Sequence, residues 1–287
     1  MKVISELTGG FGNQLFAYAC AYSCAKKNNA KLYINTYMSD NGMTRELGIT
    51  RLNIAYDGRI SYLYKKDIIN RAIFNKIRRR KAIGLGTKII KEPELFVYHP
   101  EVMEQSRDVM FNGYYQNERY FKEYAADIRR MFTPKEPLSE GAKRLVDLIH
   151  ARKDTVAVHI RRGDYLMNNA NLELTYFRQA MENMRQQYPD ATFCFFSDDM
   201  EWVKEQFPES ENVLYISGQE NIDYIEEFFC MRECSHDIIS NSSFSWWGAY
   251  LNPNPGKKVI APITGFWKRD FYPEDWQVIE THSENGQ

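Results

Sequence analysis

Apolar runs and polar breaks alternate along the chain with a regular spacing. Lys2 to Leu7 is a short apolar run that predicts a buried strand, and it ends at Thr8-Gly9-Gly10-Phe11-Gly12-Asn13. From about Gln14 to Lys27 the apolar residues Leu15, Phe16, Ala17, Tyr18, Ala19, Cys20, Ala21 and Tyr22 leave no polar face, which predicts a helix buried all round. Asn28-Asn29 supplies its stop, since Asn tolerates the backbone of a helix C-terminus. Lys31 to Asn35 reads as a second strand. Strand, glycine turn, helix and strand in that order open a parallel α/β sheet.

Residues 36 to 105 carry no single period. Within them Arg71 to Lys91 is basic and partly amphipathic, with Ile73, Phe74, Ile77 and Ile83 among Arg71, Lys76, Arg78, Arg79, Arg80, Lys81 and Lys88. Met110 to Gln116 predicts a strand and Glu118 to Phe132 a helix. Thr133-Pro134 and Pro137 then break the pattern, and the domain boundary is placed there, giving 1–135 and 136–287.

Beyond the break the alternation is regular. Strands are predicted at Thr155 to Ile160, Thr192 to Phe196, Asn212 to Ile216, Asp237 to Ser240 and Lys258 to Ala261. Helices are predicted at Thr175 to Gln187, Glu201 to Phe207, Ile222 to Glu233 and Phe244 to Leu251. Strands alternating with helices predict a doubly wound sheet, which binds ligands at the carboxyl ends of its strands.

Length and composition narrow the classes. A chain of 287 residues is long for one domain, and 37 basic against 38 acidic residues is too balanced for a protein that coats nucleic acid. Apolar residues at 44% and charged residues at 26% make an ordinary globular mix. No run approaches the roughly 20 apolar residues of a membrane span, and MKVISELTGG lacks the long apolar core of a signal peptide. Cys20, Cys24, Cys194, Cys230 and Cys234 have no CxxC spacing; they are expected to be packed thiols in a reducing cytoplasm. His99, His150, His236 and His282 lack metal-ligand spacing.

Four motifs fall at predicted strand ends. His159-Ile160-Arg161-Arg162-Gly163-Asp164-Tyr165 follows a strand directly. Its two arginines point different ways, one to a ligand and one to the protein, and a guanidinium can bind phosphate oxygens bidentately. Asp164 is placed to hold one of them; a surface ion-pair cluster is the competing reading. Gly9-Gly10-Phe11-Gly12-Asn13 before a helix lets backbone N–H groups approach an anion, or is only a tight turn. Phe196-Ser197-Asp198-Asp199 offers acids for a base edge, a ribose or a metal, while either Asp could equally cap the next helix. It is not the D-x-D arrangement of metal-dependent sugar transferases. In Ser240-Asn241-Ser242-Ser243-Phe244-Ser245-Trp246-Trp247-Gly248 the serines can cap a helix and bind phosphate, and the tryptophans are expected to pack in the core.

GGFGNQLFAYA, HIRRGDY, FFSDDMEWVK and SNSSFSWWGAYLN, spread over residues 9 to 252, together resemble glycosyltransferase family 11, the α-1,2-fucosyltransferases, in their bacterial form. The resemblance implies a GT-B architecture: two Rossmann-like doubly wound α/β domains facing across a cleft. The N-terminal domain (1–135) would shape the acceptor side and the C-terminal domain (136–287) would bind GDP-fucose, with a tail free to return to the first domain. It implies inverting transfer of L-fucose from GDP-β-L-fucose to the 2-hydroxyl of a terminal β-galactoside, without a metal or cofactor.

By the same resemblance Arg161 grips the donor pyrophosphate, His159 lies by the guanine, and Asp198 or Asp199 reads the guanine edge. Ser242 and Ser243 contribute to the phosphates, and Gly10, Gly12 and Asn13 face them from the N-terminal loop. With no metal, a fixed cation and N–H dipoles must stabilise the charge on departing GDP. No motif identifies the base for the acceptor hydroxyl; Asp164 and Glu173 are the carboxylates at hand.

The expected setting is cytoplasmic synthesis of O-antigen, capsule or another glycan. Arg71 to Lys91 is expected to be a solvated face, with a peripheral contact to anionic lipid as the second reading. The rivals are a transferase of the same architecture with another donor or acceptor, such as a protein O-fucosyltransferase, and a non-catalytic binder of sugar nucleotide or glycan. The complete HIRRGDY set argues against the last, since a plain glycan binder needs no pyrophosphate clamp.

Overall fold

In a computed structural model the described residues are 1–61 and 87–282, and the chain divides into two compact units, Met1–Lys135 and Glu136–Gln287. Most of the basic stretch, 71–86, lies outside the described residues; the remainder forms an edge strand of the first unit.

The first unit contains β1 (Lys2–Glu6), α1 (Phe11–Lys27), β2 (Lys31–Asn35), a single turn α2 (Tyr37–Asp40), β3 (Gly58–Ile60), β4 (Lys88–Lys91), β5 (Val109–Asn112) and α3 (Ala125–Met131). The strands form one parallel sheet in the order β3-β2-β1-β5-β4. Val3 of β1 sits opposite Leu32 of β2 and Val109 of β5. From Phe11 to Ala25 every residue of α1 except Asn13 is buried, the outcome its unbroken apolar sequence requires. Tyr18, on that buried helix, satisfies its hydroxyl by donating to the Ala55 carbonyl at 2.7 Å. Asn29 ends the helix in the left-handed region at φ 47°.

Two predicted elements come out shorter. The strand from Met110 stops at Asn112, because Tyr115 takes a left-handed backbone (φ 56°) and Glu92 accepts from the Tyr114 N–H at 2.9 Å. The helix predicted over Glu118 to Phe132 is two 3-10 turns, Glu118–Tyr120 and Lys122–Tyr124, followed by α3. Asn117 caps the first turn by accepting from Arg119 N–H, and the consecutive Tyr120 and Phe121 both enter the core.

The second unit contains α4 (Glu140–His150), β6 (Thr155–Ile160), α5 (Gly163–Met167), α6 (Leu174–Gln187), β7 (Thr192–Ser197), α7 (Met200–Gln206), β8 (Val213–Tyr215), α8 (Tyr224–Arg232), β9 (His236–Ile238), α9 (Ser243–Leu251), β10 (Val259–Ile263) and β11 (Gln277–Glu280). Its parallel sheet runs β11-β10-β9-β6-β7-β8. Both faces are covered. Val156, Val158, Phe193 and Phe195 pack with Tyr176, Phe177, Met181 and Met184 of α6. The alternate residues Ala157, Cys194 and Phe196 pack with Leu145 and Ile149 of α4 and with Cys230 and Met231 of α8. The period-2 alternation of a strand buried on both faces produces this split. All five cysteines are free and buried.

The chain lays β7 and β8 on one side of β6 and returns to lay β9, β10 and β11 on the other. The reversal falls between β6 and β9, and doubly wound sheets bind ligands outside the carboxyl ends of strands at such a reversal.

Candidate active site

Two of the four motifs meet at that reversal. β6 ends in His159-Ile160 and continues into Arg161-Arg162; β9 ends at Ile238 and continues through Ser240 and Asn241 to the start of α9. His159 is buried, and its Nδ1 lies 2.8 Å from Ser240 Oγ, so a side-chain bond ties the two strand ends. Burial, and secondly the charge of Arg161, depress the His159 pKa to about 3. The imidazole is therefore neutral at physiological pH and offers a hydrogen bond rather than a charge. Tyr165 adds a second tie by donating to the Asn241 carbonyl at 3.1 Å.

The two arginines turn to different partners. Arg162 keeps 12% of its side-chain exposure and Arg161 keeps 23%, so the first arginine is the more available. Arg162 lies 3.9 Å from the Trp202 ring centre, and its Nε donates to Asp199 at 3.0 Å. Arg161 donates from Nε and Nη2 to Asp164 Oδ1 at 3.0 and 2.7 Å, and its Nη1 is 2.9 Å from Asp198 Oδ2. A guanidinium has five N–H groups, and Asp164 engages only two of them through these hydrogen bonds. Asp164 thus orients Arg161 from one side, and Asp198 meets it at Nη1.

Asp198 and Asp199 follow β7, beside β6. Asp198 accepts from the Arg162 N–H at 2.8 Å and meets Arg161. Gly163 makes that approach feasible: a Cβ there would sit 2.6 Å from Asp198 Oδ2. Asp199 caps α7 by accepting from the Trp202 N–H at 3.2 Å. Both acids therefore hold the arginine turn, and the capping role weighed for Asp199 is observed.

Ser242 is the N-cap of α9, accepting from the Phe244 N–H at 3.3 Å, and Ser243 is the first residue of that helix. Ser242 thus satisfies one of the N–H groups at the start of α9, and the positive end of the helix dipole lies at this turn. Trp246 and Trp247 are fully buried, and Trp246 Nε1 donates to the Phe271 carbonyl at 3.2 Å; both belong to the core. Glu173 is the N-cap residue of α6, where its carboxylate accepts from the Thr175 hydroxyl at 3.2 Å.

One carboxylate escapes a reading by motif. Glu227 of α8 accepts from the Ser217 hydroxyl at 2.9 Å and from the Gly218 N–H at 3.3 Å, just beyond the end of β8. Ser217 in turn accepts from the Ser197 N–H at 3.0 Å, which links Glu227 to the Ser197-Asp198-Asp199 turn. Burial raises the Glu227 pKa, and these bonds partly offset it. In sequence it is one of two adjacent acids in a predicted helix, without a signal of its own.

The glycine loop belongs to the first unit. Gly9 has φ +74°, a conformation that favours glycine, and a Cβ there would meet Tyr114 Oη at 2.8 Å. Buried Gln14 fixes the loop by donating to the Gly9 and Glu46 carbonyls at 3.0 and 2.8 Å. Gly10 is the extended N-cap of α1, Gly12 lies in its first turn, and Asn13 Oδ1 accepts from Gln116 Nε2 at 2.9 Å. Among the described residues no group of three or more His, Cys, Asp or Glu is placed to hold a metal ion. No helix among them is long and apolar enough to cross a membrane.

Parallel α/β units in tandem, the second with its charged turns at the switch point, define the GT-B class of glycosyltransferase fold. Known proteins agree. Residues 98–280 match the model of glycosyl transferase family 11. The alpha-1,2-colitosyltransferase of Escherichia coli is 31% identical over 97% of the chain and 99% of its own length. The human galactoside alpha-(1,2)-fucosyltransferase 1 is 28% identical over 56% of the chain and 48% of its own. Among solved structures, NodZ alpha-1,6-fucosyltransferase co-crystallised with GDP matches with TM-score 0.52 at 17% identity, over 88% of the chain and 92% of NodZ. The chain belongs to glycosyl transferase family 11, and it is a glycosyltransferase.

Proposed function

We propose that the chain transfers L-fucose from GDP-β-L-fucose to the 2-hydroxyl of a terminal β-galactoside, with inversion and without a metal. The observation that carries this reading is the meeting of the Arg161 turn and the α9 N-terminus at the β6/β9 reversal. Breaking the sugar–phosphate bond leaves negative charge on the β-phosphate of GDP. A fixed guanidinium and the first turn of a helix are preorganised donors for that charge. Arg161, Ser242 and Ser243 take this role, and Asp164 positions Arg161. His159, neutral, lies by the base. Asp198 and Asp199 were the acids expected at the guanine edge; Glu227 joins them as a carboxylate not engaged by an arginine in the contacts above.

The likeness to an alpha-1,2-colitosyltransferase supports a second reading, in which the donor carries colitose, the 3-deoxy counterpart of L-fucose. The deciding experiment incubates the enzyme, with and without EDTA, with GDP-fucose, a nucleotide-activated colitose and GDP-mannose over a galactoside panel. The product linkage is determined by NMR. Product with GDP-fucose and an α-1,2 bond is expected; turnover only with the colitosyl donor would replace the first reading by the second. Arg161→Ala should lose about 10²–10³-fold in kcat. Near-normal turnover by a folded Arg161→Ala protein would remove Arg161 from the site.

A further inference from the structure

The first unit has a strand-order reversal of its own, between β1 and β5. Glu6 is the last residue of β1 and Asn112 the last of β5, and Asn112 Nδ2 donates to Glu6 Oε2 across the two strand ends. Glu6 is buried, and burial raises its pKa. A buried carboxylate at the open end of a sheet is costly unless something there uses it. Further polar groups converge on the same end. Half-buried Tyr114, two residues after Asn112, carries its hydroxyl to the Gly9 turn, and Asn13 and Gln116 are bonded to each other. Three amides, a carboxylate and a half-buried phenol make a set suited to an uncharged polyol. A carboxylate and an amide can each bridge sugar hydroxyls, and an aromatic face can cover the C–H face of a pyranose. The same carboxylate would repel a phosphate.

We propose that Glu6, with Asn112 and Tyr114, forms the part of the enzyme that recognises the acceptor saccharide. Glu6 is thus a specificity-determining residue that holds an acceptor hydroxyl. This rests on the glycosyl-transfer reading above. A site built to hydrogen-bond a substrate hydroxyl discriminates strongly against the analogue that lacks it.

The test compares wild type with Glu6→Gln on a β-galactoside and its mono-deoxy analogues, using whichever sugar nucleotide the wild type turns over. Glu6→Gln should raise the acceptor KM about tenfold, with the donor KM and the affinity for GDP by calorimetry unchanged. For one deoxy analogue the wild type should lose activity while Glu6→Gln loses little more, since the bonded hydroxyl is already without its partner. If Glu6→Gln does not fold, Tyr114→Phe and Asn112→Ala are put through the same panel. Unchanged acceptor KM and unchanged deoxy sensitivity in the folded variant would overturn the proposal. So would a loss confined to donor binding. A wild type that releases no GDP with any donor and acceptor would instead sink the transfer reading itself.

Discussion

At the scale of single residues, the arginine turn depends on Gly163 as much as on its charges. A Cβ at 163 would lie 2.6 Å from Asp198 Oδ2, so alanine must push that carboxylate away from Arg161 and from the Arg162 N–H. Gly163→Ala should keep its fold but lose on the order of 10²-fold in kcat/KM, the scale at which small misplacements act. Retained kcat/KM would show that Asp198 does not set the position of Arg161. The opposed arginines were legible in HIRRGDY, because adjacent residues leaving a strand diverge. The partners that hold them were only half legible. Asp164 is near in sequence, whereas Asp198 and Asp199 arrive from the neighbouring strand. Glu227 was not legible at all, since its link to the site runs through Ser217 and exists only in the fold.

At the scale of elements, the proposed function gives α9 two jobs at one N-terminus. Ser242 caps the helix, and the proposed function asks the same turn to receive phosphate. Aspartate at this position separates the two. It is as good an N-cap as serine, but it places a fixed negative charge where the donor phosphate would sit. Ser242→Ala should lose about 1 kcal/mol of stability, the usual cost of a lost cap. Ser242→Asp should melt near the wild type yet show little thermal stabilisation by GDP. Equal stabilisation of Ser242→Asp and wild type by GDP would detach α9 from phosphate binding. This helix was legible because its serines precede an apolar run. α4 has no counterpart among the predicted elements, although Ser139 caps it and Ala142, Leu145 and Ile149 form its buried stripe. That stripe is short and follows directly on the prolines that mark the break. The 3-10 turns at Glu118–Tyr120 and Lys122–Tyr124 were hidden for the opposite reason: their apolar spacing imitates a helix.

At the scale of the whole molecule, alternating strands and helices announce a doubly wound sheet, but every such sheet alternates alike. The order that puts the reversal between β6 and β9 is decided by packing, and buried polar groups come with it. Asp237 is one, fully buried on central β9 and accepting from Asn252 Nδ2 at 2.9 Å. Burial lifts its pKa from 3.8 to about 7, against the opposing pull of Lys257 and Asn252. The fold therefore favours the protonated acid. That contribution to stability is complete below about pH 4 and is lost as the pH rises to about 7. His159 runs the other way: its depressed pKa gives a contribution present above 6.5 and lost as the pH falls. A comparison with Asp237→Asn cancels His159, since both proteins keep it. Asparagine stays neutral and can still accept from Asn252. The stability of Asp237→Asn relative to wild type, read from urea midpoints, should therefore rise between pH 4 and pH 7 and level off above. A difference that does not change with pH would mean that Asp237 carries its charge in the folded protein throughout, with Lys257 as the group that balances it.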